Sequence, residues 1–322
     1  MALHRKKAPR FGIGEWFGQS FVRMNVETRK NFANQALKHN ITKDTRALCP
    51  FKMPTGRKCT KKGGVCSLRP YRETTDGAAE PILGELGGLV AVCPHRFKQD
   101  DVANRKVGQV LLGTENPKTV YEVRFLQRKR VPIVGEKTEE NEERAEEAKE
   151  DVGNIDCVLL HPDAEPMHWC ALEIQAVYFS GKAMTGLFRH ILQFSGDKIP
   201  FPEKARRPDY RSSGPKRLMP QLQIKVPTLR RWGKKMAVVV DRAFYRSLGR
   251  METVSNISNC DIAWFVIDYN ESTNPVTLVV SEPEKQTLER AVEGLTGGTP
   301  VTLPEFERKI TEKLLASTSH GR

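Results

Sequence analysis

Three polar side chains in apolar surroundings carry the chemistry of this sequence: Asp156, Glu173 and Gln175. Residues 169–179 read Trp-Cys-Ala-Leu-Glu-Ile-Gln-Ala-Val-Tyr-Phe, a run broken only by Glu173 and Gln175. Two apart on a strand, both side chains point to one face. Burying a carboxylate beside an amide is costly unless something binds them. Asp156 lies upstream in a second apolar run, Ile155-Asp-Cys-Val-Leu-Leu160. Carboxylates on neighbouring strands offer the oxygen ligands that magnesium prefers. Such a cation neutralises a phosphodiester and lowers the pKa of water beside it. Gln175 has no titrating proton, so its part would be to position a water or a phosphate oxygen. The same alternation also permits a plainer arrangement. Glu173 and Gln175 would then face solvent from an edge strand while Leu172, Ile174 and Ala176 face the core.

The second set is the cysteines. There are seven, and four fall early, at Cys49, Cys59, Cys66 and Cys93, separated by nine, six and 26 residues. No Cys-x-x-Cys knuckle occurs among them. Residues 45–98 are rich in Cys, Gly, Pro and Lys with weak periodicity, which predicts little core and a need for a staple. Sulfur-only ligation suits zinc or a single iron; four free or buried thiols are the alternative. Cys157, Cys170 and Cys260 sit in apolar contexts as small core residues. The N-terminal Met-Ala-Leu-His-Arg-Lys-Lys has no apolar stretch behind it, so no secretory signal is expected there. The odd cysteine count argues against a disulfide framework.

These residues need elements to position them. Residues 155–160 and 169–179 flank His161-Pro-Asp-Ala-Glu-Pro166, which predicts a hairpin. Alternation predicts a strand over 119–126, and apolar runs predict strands over 236–240, 262–269 and 276–280. Helices are expected over 25–39, 183–194, 242–248 (capped by Asp241), 282–295 and 304–315. Around Trp16, Phe17 and Phe21 a short aromatic helix or turn is expected, and over 104–113 a short strand or helix end. Five prolines make 198–220 a loop. Residues 137–151 read as an exposed helix or an acidic loop. The order predicts an α/β fold with a central mixed sheet flanked by helices. A basic N-terminal region with a small four-cysteine metal-binding module would occupy residues 1–103, and a nuclease core with DNA-binding loops residues 104–322.

The formal net charge is +13 with a pI near 9.4. No stretch approaches the ~18 apolar residues of a membrane span. A polyanionic partner is therefore expected to be nucleic acid, in the cytoplasm, and not a membrane. Residues 1–62 hold fifteen Lys/Arg against three acids, residues 136–151 nine acids against three bases, and residues 204–217 six bases against Asp209. Charge runs are commonly solvated faces, and phosphate contact is the functional reading. The candidate DNA contacts are Lys182, Arg206, Arg207, Arg211, Arg230 and Arg231. Lys182 has two further readings, a displaced catalytic lysine or a helix-start residue. Trp232, amid Arg230-Arg-Trp-Gly-Lys-Lys235, either stacks on a base or packs in the core. His161 and His168 are expected at the surface and His190 in packing.

Asp…Glu-x-Lys on a hairpin is the signature of the PD-(D/E)xK nucleases, and Glu-x-Gln is a variant of it. More closely, the chain resembles the NotI-type restriction endonucleases. The resemblance runs in order through Gly14-Glu-Trp-Phe-Gly18, Cys49-Pro-Phe51, Gly64-Val-Cys66, Cys93-Pro-His-Arg-Phe97, Asp156, Leu172-Glu-Ile-Gln175 and Phe179-Ser-Gly181. It implies a homodimeric, magnesium-dependent type II enzyme that cuts both strands of a specific DNA duplex in a prokaryotic cytoplasm. It implies that Asp156 and Glu173 hold the metal, with Gln175 in the place lysine occupies elsewhere. It also implies that Cys49, Cys59, Cys66 and Cys93 hold one structural iron, or zinc in its place. Two other readings are a non-catalytic, metal-stapled DNA-binding protein and a DNA or RNA processing or repair nuclease.

Overall fold

The computed structural model describes residues 8–39, 47–52, 56–85, 87–126, 154–297 and 301–319. The acidic run 137–151 lies outside them. In chain order the strands are β1 Arg10–Trp16, β2 Gln19–Ser20, β3 Val65–Glu73, β4 Ala78–Pro81, β5 Val90–Ala91, β6 Lys118–Arg124, β7 Asn154–Leu160, β8 Trp169–Ile174, β9 Phe179–Gly181, β10 Ile199–Pro200, β11 Arg206–Pro208, β12 Met236–Asp241, β13 Ile262–Asn270, β14 Thr277–Val280 and β15 Glu284–Gln286. The α-helices are α1 Val26–His39, α2 Val102–Leu112, α3 Thr185–Gln193, α4 Tyr210–Ser213, α5 Met219–Arg231, α6 Arg242–Ser247, α7 Leu288–Thr296 and α8 Leu303–Ser319.

A seven-stranded mixed sheet holds the candidate site. Its order is β14-β13-β12-β8-β7-β6, with β15 also on β13. β6, β7 and β8 form an antiparallel meander, and β8, β12 and β13 run parallel. β12 reads Met-Ala-Val-Val-Val-Asp with all six residues buried. That β-branched run is what a parallel strand covered on both faces requires. Alternate residues feed two cores. Ala171, Val238, Val240 and Trp264 meet Leu222, Val226 and Leu229 of α5 on one face. Cys157, Leu172, Val239 and Phe265 meet Ala103 and Val107 of α2 on the other. The expected mixed sheet flanked by helices is thus present.

The N-terminal region departs in part from expectation. Trp16 ends strand β1, and the expected aromatic helix or turn is the turn at Phe17-Gly18 with the 3-10 helix Phe21–Arg23, whereas residues 45–98 are not core-poor. β1 pairs with β3 in a second sheet, order β10-β4-β3-β1-β2, with β5 on β3. Ile13, Trp16, Phe21, Val65, Leu68, Tyr71 and Phe188 form its core. Gly63 and Gly64 serve this packing. Gly64 takes φ +71°, and a Cβ there would stand 2.0 Å from the Phe17 ring. Phe17 N–H donates to its carbonyl at 2.9 Å.

A buried polar bridge joins the two sheets. The fully buried Arg96 donates to both Glu15 oxygens at 2.8 and 3.0 Å, and to the Val276 carbonyl at 2.9 Å. Ser67 hydroxyl donates to the same Glu15 carboxylate at 2.8 Å. Such a charge is tolerable in a core only with this degree of pairing.

Residues 198–220 are not a loop. They contain β10 and β11, then α4, a π-helical turn Gly214–Leu218 and α5 in unbroken succession. Pro220 has no N–H for the bond an α-helix needs back to Lys216, and the Met219 N–H reaches Gly214 instead. The prolines therefore widen a helix here and do not abolish it. Residues 104–113 are also helical, within α2, whose C-cap Gly113 adopts φ +72°.

Candidate active site

The strand over residues 169–179 is shorter than expected, because β8 stops at Ile174. The β7–β8 register runs Leu160↔Trp169 through Cys157↔Leu172. One further step sets Asp156 opposite Glu173. Directly opposed residues share a face of an antiparallel pair. The Asp156 carboxylate accepts the Ile174 N–H at 3.2 Å, and the Asp156 N–H in turn bonds the Glu173 carboxylate. Asp156 is exposed, whereas Glu173 is 4% exposed, so only the inner acid is removed from water.

Gln175 falls one residue past the strand end, so strand alternation does not place it. Its N–H still bonds the Val239 carbonyl at 3.0 Å, and its side-chain amide donates to the Ala176 carbonyl. It nonetheless lines one cleft with Asp156 and Glu173. The edge-strand alternative does not describe Glu173, which is buried in an interior strand between β7 and β12.

One residue missing from the sequence reading completes this centre. Lys225 of α5 is fully buried, and its ammonium donates to the Glu173 carboxylate. Burial, and then the neighbouring Asp156, push the Glu173 carboxyl up to about 7 against the pull of Lys225. Lys225 follows Leu222 by three residues and precedes Leu229 by four, on the apolar face of α5. That spacing was the available signal, hidden because Pro220 and Pro227 disguised the helix.

The other candidates spread over several surfaces. Lys182 is exposed just after β9, and Arg207 is exposed on β11, which pairs with β9. Arg206 of the same strand is buried and donates to the Ala183 carbonyl at 3.0 Å, so it faces inward. Arg211 is exposed on α4. Arg230 is held by Asp261 at 2.9 Å and Glu289 at 3.1 Å, while Arg231 is exposed and donates to Thr228. Trp232 is half exposed and packs edge-on against Phe125 and Trp169, which is neither of the expected arrangements in full.

Cys49, Cys59, Cys66 and Cys93 are all buried and none forms a disulfide. A bridge between Leu48 and Lys58 brings Cys49 and Cys59 onto adjacent segments, and Cys49, Phe51, Cys59 and Cys66 form one small cluster. A bond from its partner Cys59 pulls the Cys49 thiol down to about 6, while burial pushes Cys66 and Cys93 up. The Lys61 ammonium interacts electrostatically with Cys93, Cys66 and Cys59. In donor type and burial these thiols suit a thiophilic metal. Among the described residues, however, no three His, Cys, Asp or Glu side chains stand at ligand spacing. Cys157, Cys170 and Cys260 are buried core residues.

A mixed sheet flanked by helices, with Asp156 and Glu173 on neighbouring strands beside one cleft, fits a restriction-endonuclease-like core. The chain matches the family model described as restriction endonuclease NotI over residues 35–280, well over half of its 322. It belongs to that family. No curated protein matches it. The protein is accordingly a sequence-specific type II restriction endonuclease, a site-specific deoxyribonuclease acting on double-stranded DNA, and the family suggests a divalent metal cofactor. No helix among the described residues is long and apolar enough to cross a membrane.

Proposed function

We propose that Asp156 and Glu173 hold the catalytic divalent cation, magnesium, in a Glu-x-Gln variant of the PD-(D/E)xK centre. The observation that carries this reading is the register that opposes the two carboxylates at the mouth of a cleft. When bound, the cation neutralises charge on the phosphate and acidifies a nearby water. The oxygen-only donor pair suits magnesium, which keeps most of its own waters. Gln175 orients the attacking water or a phosphate oxygen from the same cleft. Lys225 supplies the positive charge that Gln175 lacks: it fixes the Glu173 carboxylate and favours its ionised form against its buried setting. The products are a 3′ hydroxyl and a 5′ phosphate.

The four thiols Cys49, Cys59, Cys66 and Cys93 form a structural site for one iron or zinc, supported by their common burial and by the cluster that Cys49, Cys59 and Cys66 make with Phe51. Lys182, Arg207, Arg211 and Arg231 remain exposed candidates for DNA contact. Two chains act together, one per strand, in a prokaryotic cytoplasm. An exposed apolar stripe on α8, Leu303, Phe306 and Ile310, supports association between copies. Digestion of mixed-sequence DNA with magnesium, followed by sequencing of the fragment ends, tests this function. Discrete fragments with one common end sequence are expected; DNA left intact, or cut at random, contradicts it.

A further inference from the structure

The cleft that contains Asp156 and Glu173 has a second, basic wall. Its volume is about 720 Å³, and beside the acids its lining includes Tyr178, Lys216 and Arg217. Lys216 and Arg217 lie in the π-helical turn Gly214–Leu218. A π-turn inside a helix is uncommon and recurs at functional sites. Here it sits in the wall of the cleft.

Arg217 is pre-oriented. Its Nη1 donates to the Tyr178 hydroxyl at 2.7 Å, and its guanidinium lies 3.9 Å from the centre of the Tyr178 ring. Tyr178 is half exposed, and Arg217 and Lys216 are exposed. Among the described residues no carboxylate lies within salt-bridge distance of either cation, although Lys216 feels the charge of Asp209. A planar guanidinium with one edge tied down keeps its other N–H groups for a forked bond to an oxyanion. Ion pairing accounts for Arg230, Arg242 and Arg246, and it does not account for these two cations.

We infer that Lys216 and Arg217, with Tyr178 as platform, grip a backbone phosphate next to the one at the Asp156–Glu173 pair. This rests on the nuclease reading above, which brings a phosphodiester into the cleft. The ligand is a phosphodiester oxyanion of DNA, read without regard to base. Contacts of this kind fix the register of the duplex and leave base choice to other residues.

The test uses the full chain in chelator, so that nothing is cut, with a mixed-sequence duplex. Affinity is followed by fluorescence anisotropy over roughly 50–200 mM salt. Arg217→Ala and Lys216→Ala are each expected to lower the slope of log K against log salt by about 0.9. Arg217→Lys should keep the slope, and Arg290→Ala on α7, a cation already paired with Glu252 and Glu293, should leave it unchanged. With magnesium, Arg217→Ala should raise KM several-fold more than it lowers kcat. The inference is overturned by an unchanged slope in Arg217→Ala and Lys216→Ala. It is equally overturned if Arg217→Lys loses as much as Arg217→Ala, which would mark a structural role, or if site discrimination falls while the slope holds, which would mark base reading. Because binding is read without cleavage, an uncut substrate with wild-type protein would sink the nuclease reading, and the slopes would still decide the phosphate grip.

Discussion

The Lys225 ammonium, on a helix 52 positions further along the chain, donates to the Glu173 carboxylate inside the sheet face that α5 covers. Neither charge is comfortable there alone. Removing one member of a buried pair leaves the other uncompensated, at a cost of about 3–5 kcal/mol. Lys225→Met and Glu173→Gln should each destabilise the protein to that extent in urea unfolding. The double variant Glu173→Gln with Lys225→Met should recover most of the loss, since no charge is left behind. Additive losses in the double variant would show that the two groups are not coupled.

Asp241 sets a pH dependence of its own. Fully buried at the end of β12, it accepts the Phe244 and Ala91 N–H groups at 2.8 Å each. Burial still pushes its carboxyl up to about 7. The folded chain therefore holds a proton that the unfolded chain, near the ordinary value of about 3.9, has released. Stability from this group is fully present below pH ~4 and is lost as pH rises towards 7. Asp241→Asn should flatten the urea-unfolding profile between pH 4 and 7. A profile in that window parallel to wild type would contradict the assignment.

Gly64 is expected to resist substitution. Its φ of +71° and the Phe17 ring at 2.0 Å from a would-be Cβ leave alanine both strained and crowded. Gly64→Ala should cost about 1–3 kcal/mol, read as a lowered urea midpoint. Gly77→Ala separates the two causes: its φ is +76°, but nothing lies within 4 Å of its added Cβ. It should cost less, and equal losses would assign the whole effect to the backbone.

If the four early cysteines hold a metal, protein purified without added metal should carry one iron or zinc per chain by elemental analysis. Cys66→Ser should abolish that content and lower the melting temperature, and a strong chelator should do the same to wild type. Metal-free protein with an unchanged melting temperature would contradict the proposed site.

Much of this arrangement was legible in the sequence, for identifiable reasons. Apolar runs interrupted by a single acid mark Asp156 and Glu173, because alternation along a strand is a local property. The apolar run of β12 and the Asp241 cap that ends it were readable on the same local grounds. What was hidden depends on partners far along the chain. β1 reads Arg-Phe-Gly-Ile-Gly-Glu-Trp and looks unlike a buried strand until Arg96, 81 positions away, neutralises Glu15. Prolines at 215, 220 and 227 conceal α5 and its approach, and with it Lys225 and the basic wall of the cleft. Strand termination is decided by neighbours too: β8 ends at Ile174 and leaves Gln175 beyond the meander, although its N–H still bonds β12.

The most direct measurement compares single-turnover cleavage by wild type and Glu173→Gln on a duplex carrying the recognised site, with magnesium, alongside affinity for the same duplex in chelator. Glutamine preserves the shape beside Lys225 but removes the carboxylate. The expected result is a cleavage rate reduced by at least ~10²–10³-fold with affinity changed much less. Cleavage at the wild-type rate would show that the opposed Asp156 and Glu173 carboxylates are not where this enzyme breaks DNA.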